Sequence, residues 1–216
     1  NRFISTLTVY KDDHTLQLAI ERGGVQALEE FVLARYFMFI QVYFHKTRRY
    51  LDKVLVKSLK AILPNGKYPT EVHEYLKWND SRILSLIADS EAPEVIAFKQ
   101  REIMTCVFES KAHAGKGEKT NAKVIYKILQ EAYGDQVAYD SVDKAAHKLA
   151  PVLLAPQDDS GKGIMILDPQ TRAVTNIMEE SIILESIVRP INIHRIYAGK
   201  DIVGEVLAEI ERLQSD

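Results

Sequence analysis

The sequence predicts a mostly α-helical chain with a C-terminal α+β part: a long central helix plus shorter helices, then a small antiparallel sheet with packed helices. Three observations predict this class. Residues 25–62 contain neither glycine nor proline. Capping and breaking signals then recur at short intervals through residue 102. From residue 103 onward, short β-branched runs interleave with amphipathic ones, which marks a change from helical to strand period. The expected organisation is a helical part over residues 1–102 and an α+β part over residues 103–216.

The elements follow in order. Residues 1–10 show no firm period, and a helix is expected over about residues 15–22, ended by Gly23-Gly24. Val25, Leu28, Val32, Phe39, Val42 and Lys46 then recur at steps of three, four or seven. Basic residues gather late, at Lys46, Arg48, Arg49 and Lys53, and Leu63-Pro64-Asn65-Gly66 is a strong terminator. One helix is therefore expected over about residues 25–61, long by globular standards and packed on several sides. Pro69-Thr70-Glu71 opens a short helix, Asn79 caps the next, and a third is expected at 94–101. Strands are expected at 103–108, 136–139, 152–155 and 163–167. A polar loop at 111–119 leads to an amphipathic helix over 121–133, closed by Gly134. Residues 182–188 and 191–197 are apolar and β-branched, and a last amphipathic helix covers 202–213.

Composition narrows the function classes. With 46% hydrophobic and 27% charged residues the chain resembles an ordinary globular protein. A formal net charge of −2 argues against a nucleic-acid partner, whose binders carry a basic excess. The lone cysteine, Cys106, rules out a disulfide framework and points to a reducing, cytoplasmic setting. It sits in the apolar run Ile103–Phe108 and reads as structural. No apolar run approaches the roughly 20 residues of a membrane helix, and the chain opens on Asn1 rather than Met, as a processed or cut chain does.

Searches for chemistry are mostly negative. The six histidines, His14, His45, His73, His113, His147 and His194, form no i, i+3 or i, i+4 pair, and Asp13-His14 is the nearest thing to a His-Asp dipeptide. No convergent metal-ligand set is visible, so no metal is expected on this chain. Gly115-Lys116-Gly117-Glu118-Lys119-Thr120 superficially suggests a phosphate loop. Glu118 stands where that loop needs glycine, and its charge would repel phosphate. No serine lies in a nucleophile elbow. One constellation remains. Arg35, Phe39, Val42, Tyr43 and Lys46 fall on one face of the long helix. Cations beside a tyrosine can bind phosphate and stack on a base or sugar; equally, the helix can be core with cations reaching its rim. Arg35 lies deep in Phe31–Met38, an apolar segment, so an anionic partner is expected: Glu29, Glu30 or a ligand phosphate.

The segment Leu33–Arg49, with Arg35, Tyr43 eight residues later and then His45-Lys46, resembles the long helix of HD-domain deoxynucleotide triphosphohydrolases. The resemblance is specific over about residues 15–62 and weaker beyond. It implies a metal-dependent enzyme that hydrolyses a dNTP to deoxynucleoside and triphosphate. In that family a histidine, a His-Asp pair and a distant aspartate hold the divalent metal, all upstream of the long helix. This chain would then be a C-terminal portion without those ligands, inactive alone. By position, Arg35 would hold a substrate phosphate, with Phe39 beside it and Tyr43 against the sugar. His45 and Lys46 would face an effector at a subunit interface of a homo-oligomer, a dimer or tetramer. Some relatives carry histidine where this chain has Phe39, and the basic effector positions before the helix are replaced around residues 21–27. The alternative is a non-catalytic regulatory or oligomerisation module; a helical nucleic-acid binder using Lys46, Arg48, Arg49 and Lys53 is a weaker third reading.

Overall fold

The computed structural model describes residues 2–12, 15–144, 164–187 and 190–215. In chain order the elements are α1 (Arg2–Ser5), β1 (Leu7–Asp12), β2 (Thr15–Glu21), α2 (Val25–Met38), a π-helical turn (Phe39–Tyr43), α3 (Lys46–Ile62), α4 (Val72–Tyr75), α5 (Asp80–Asp89) and α6 (Pro93–Lys99). There follow β3 (Thr105–Glu109), α7 (Lys116–Tyr133), β4 (Val137–Lys144), β5 (Met165–Leu167), β6 (Val174–Asn176), α8 (Ile177–Glu180), α9 (Ile182–Ile187), β7 (Ile191–Ala198) and α10 (Val203–Ser215). The chain is thus mostly helical with small sheets, as expected. The expected strand at 152–155 lies outside the described residues.

The chain divides into two compact units. One comprises Asn1–Tyr43, Lys111–Gly115 and Val142–Ile193; the other comprises Phe44–Ser110, Lys116–Ser141 and His194–Asp216.

In the first unit, β1 and β2 form an antiparallel hairpin with Leu7 opposite Ile20 and Val9 opposite Leu18. This corrects the expected helix at 15–22. Leu16, Leu18 and Ile20 alternate, and β1 supplies the partner that makes alternation pay. The sheet order is β1-β2-β5-β6. Strands β2 and β5 run parallel while β5 and β6 are antiparallel, so this sheet is mixed rather than antiparallel. Helix α2 lays Val25, Leu28 and Val32 on Ile20 and Ile166, with Ile177 and Leu184 completing the core. Each such side chain contributes about 1.5–3 kcal/mol on full burial. Gly24 is required where α2 begins: a Cβ there would meet Thr6 Oγ1 at 2.3 Å. Buried Ser181 caps α9, accepting from the Leu184 N–H at 3.1 Å while its hydroxyl donates to Glu29 at 2.6 Å. Arg22 bridges Asp168 at 3.1 Å and Glu180 at 2.7 Å.

The second unit is three-layered. Its sheet has the order β3-β7-β4, with β3 antiparallel to β7 and a register shift between Cys106 and Phe108. One face, including Ile196, Ala198 and Val137, packs on Ile125 and Leu129 of α7 and on Val206 and Ile210 of α10. On the other face Tyr197, Cys106 and Ala138 pack on Tyr50 and Val54 of α3. Buried Ser58 donates to the Glu94 carbonyl at 2.7 Å, tying α3 to α6. Asn79 caps α5 as expected, accepting from the Arg82 N–H at 3.0 Å. Helix α7 starts at Lys116, five residues before the expected 121, since Gly117 alone does not stop it. Gly134, at φ +56°, closes it in the left-handed region.

The single helix expected over 25–61 is two helices. After the π turn, Phe44-His45 leaves the helix, and His45 is extended at φ −58°, ψ 134°. One extended residue changes no apolar spacing, so periodicity cannot see the break.

Candidate functional site

Arg35, Phe39 and Tyr43, spaced one turn apart, come together on one side of α2 and the π turn. The guanidinium carbon of Arg35 lies 5.0 Å from the centroid of the Phe39 ring. The Phe39 and Tyr43 rings follow at 5.1 Å, tilted by 51°. The result is a cation–aromatic–aromatic ladder. The widened i→i+5 turn beneath Phe39–Tyr43 is a local feature often associated with binding sites.

Arg35 is half-buried and forms no ion pair among the described residues. Glu29, one anticipated partner, is engaged by Ser181. A cation over an aromatic face is stabilised by about 0.5–1 kcal/mol at exposed sites. The contact supplies no carboxylate to the guanidinium, whose fork of N–H donors suits a phosphate or carboxylate. Tyr43 is 40% exposed, so a ligand can reach the open end of the ladder.

His45 and Lys46 belong to the second unit, at the start of α3. Both are exposed; His45 occupies the capping position, and the Lys46 carbonyl accepts the Tyr197 hydroxyl at 3.0 Å. Burial pushes the Tyr197 phenol well above its usual value. Arg49 is held by Asp140 through two hydrogen bonds, at 3.0 and 2.7 Å, and Arg48 lies 3.9 Å from Asp52. Two of the four cations in the basic run are therefore already paired. Burial raises the Cys106 thiol, which disfavours a nucleophilic thiolate.

A second polar device in the first unit was not anticipated. The Tyr36 hydroxyl and His113 Nε2 are 2.9 Å apart, with rings nearly parallel and 5.9 Å between centroids. His113 Nδ1 lies 3.0 Å from the Pro190 carbonyl. A carbonyl can only accept, so Nδ1 carries a proton, and in the neutral ring Tyr36 donates to Nε2. Desolvation raises the Tyr36 phenol, which keeps it a donor. Nothing local signals the pairing, because 77 residues separate the partners.

Among the described residues no group of three or more His, Cys, Asp and Glu could hold a metal ion. His14 and His147 lie outside the described residues. No described helix is long and apolar enough to cross a membrane.

A family model described as "HD associated region" matches residues 1–111. The crystal structure of a hypothetical protein from Aquifex aeolicus is similar to 97% of this chain, at 25% identity and a TM-score of 0.71. The chain spans only 50% of that protein. No curated protein matches.

Proposed function

The chain belongs to the HD-associated-region family, and we propose that it forms the substrate-phosphate wall and an assembly surface of a metal-dependent HD-type phosphohydrolase acting on a dNTP. The observation that carries this reading is the Arg35–Phe39–Tyr43 ladder. Its setting adds support. Apolar residues are spread around the whole circumference of α2, a pattern of helices enclosed on all sides. Yet Phe31, one turn before Arg35 on the same side, is 49% exposed. An HD domain laid against that side would bury it and face Arg35 toward its metal-bound substrate. The divalent metal would sit on that domain's own residues, outside this chain.

In this reading Arg35 binds a phosphate, Phe39 holds the guanidinium, and Tyr43 packs on the deoxyribose where a 2′-hydroxyl would collide. His45 and Lys46 would serve an effector or subunit contact in a dimer or tetramer. Residues 1–102 would complete the HD-type domain.

The test uses the complete protein with dNTP and divalent metal, following release of deoxynucleoside and triphosphate. Arg35→Ala is expected to lower kcat/KM by about 10- to 100-fold, the kinetic equivalent of about 1.5–3 kcal/mol for a charged hydrogen bond. Arg35→Lys should recover part of the loss, since a point charge replaces a planar fork. Unchanged kcat and KM in Arg35→Ala would sink the ligand role and leave the non-catalytic assembly module. The 216-residue chain alone should show no turnover.

A further inference from the structure

The second unit holds a trough along α3 that the proposed reaction does not use. A cavity of about 580 Å³ opens between α3, α6 and the approach to β3, floored by Tyr50, Val54 and Met104. A smaller hollow of about 210 Å³ adjoins it on the β4 side and shares Tyr50, Val54, Lys57 and Met104. Lys57 lines both hollows, Lys53 the smaller and Lys200 the larger.

Size and lining define the occupant. Small-molecule sites usually enclose about 300–1,000 Å³, with an apolar floor and few polar groups. The floor here is aromatic and thioether, and the smaller hollow adds Tyr126 and Tyr139, whose rings lie 5.3 Å apart. Flat faces and a polarisable sulfur suit a planar ring. The cationic rim is made of lysines. Lys53, Lys57 and Lys200 form no ion pair among the described residues, whereas Arg48 and Arg49, earlier on α3, lie against Asp52 and Asp140. Lysine acts as a point charge toward phosphate, while a planar carboxylate is better matched by arginine. Glu94 and Glu102 line the larger hollow and Asp135 the smaller, and these carboxylates can accept from an amino group or hydroxyl of the ligand.

We infer that this trough is a binding site for a mononucleotide-like ligand, with its phosphate on Lys53 and Lys57 and its ring on the Tyr50–Met104 floor. The site is separate from the Arg35 ladder and does not depend on the reading given to that ladder.

The experiment measures equilibrium binding of AMP, GMP, CMP, adenosine and inorganic phosphate to the Arg35→Ala protein, so that the ladder cannot contribute. At least one nucleotide should bind saturably, more tightly than adenosine or phosphate alone. The Lys53→Ala/Lys57→Ala pair should weaken it at least tenfold without lowering the melting temperature, because neither side chain is buried. Lys57→Glu should weaken it further by repulsion. No saturable binding, or binding indifferent to both lysine variants, overturns the site. Adenosine binding as tightly as AMP overturns the phosphate half, and phosphate binding as tightly as AMP overturns the ring half.

Discussion

Arg22 shows what one side chain can do at the surface. Its guanidinium joins Asp168, just past the end of the neighbouring strand β5, and Glu180 of α8. Both carboxyls are held below their usual range: Asp168 first by the backbone N–H groups of Thr171 and Gln170 and then by Arg22, Glu180 first by its hydrogen bond to Arg22. Depressed folded-state values stabilise the fold above the unfolded carboxylate pKa. That contribution disappears as pH falls through the folded values. The melting-temperature gap between wild type and Arg22→Gln should therefore be open at pH 6 and narrow as pH falls through and below the ordinary carboxylate values. A gap that stays constant across this range would show that the bridge carries no linked protons. Arg35 is the contrasting case. The sequence marked it as a misplaced cation, and the structure gives it a ring in place of a carboxylate.

At the scale of elements, α3 meets the sheet through two polar links within an apolar contact, the Tyr197–Lys46 hydrogen bond and the Arg49–Asp140 pair. Asp140 is 4% exposed and Arg49 28%, so the carboxylate is nearly dry while its partner reaches water. Breaking a buried pair from one side typically costs about 3–5 kcal/mol, and the exposure of Arg49 lowers the expectation for Arg49→Ala to about 2–4 kcal/mol. Arg49→Met with Asp140→Leu should recover most of that stability in chemical denaturation. A double variant as unstable as Arg49→Ala would point to packing rather than stranded charge. The elements that were legible in the sequence are those with local causes. The Asn79 cap, the Leu63–Gly66 stop and the Gly134 closure each act within a few residues of the helix they bound. The hairpin and the His45 break were not legible. Leu16, Leu18 and Ile20 fit a strand only because β1 lies opposite, and His45 departs from the helix without disturbing the apolar spacing around it. In the candidate site the Arg35–Phe39–Tyr43 spacing could be read directly. The Tyr36–His113 pair could not, because a loop 77 residues away supplies the histidine.

At the scale of the molecule, the exposed large apolar side chains among the described residues concentrate in the first unit. Val9, Leu16 and Leu18 on the hairpin are 54%, 74% and 65% exposed, and Phe37 and Val42 of the α2 region are 50% and 54% exposed. Patches of this kind mark interaction surfaces. The chain alone should bind a hydrophobic dye and self-associate as concentration rises. Leu16→Lys with Leu18→Lys should reduce both effects without lowering the melting temperature. On the proposed reading an HD domain added in trans should suppress dye binding, and continued dye binding would mean that these side chains serve another contact.

The parallel pairing of β2 with β5 also fixes when this protein can mature. Arg22 and Asp168, at the ends of those strands, are separated by 146 residues. Closing so long a loop costs entropy before any pairing returns it, which slows folding of such topologies. On the ribosome, β2 must wait with one edge unsatisfied until β5 has been made. A chain ended at residue 111, where the family match stops, would carry α2 without Ile166, Ile177 and Leu184 beneath it. The stretch by which the family is recognised is therefore not a piece that completes its own core.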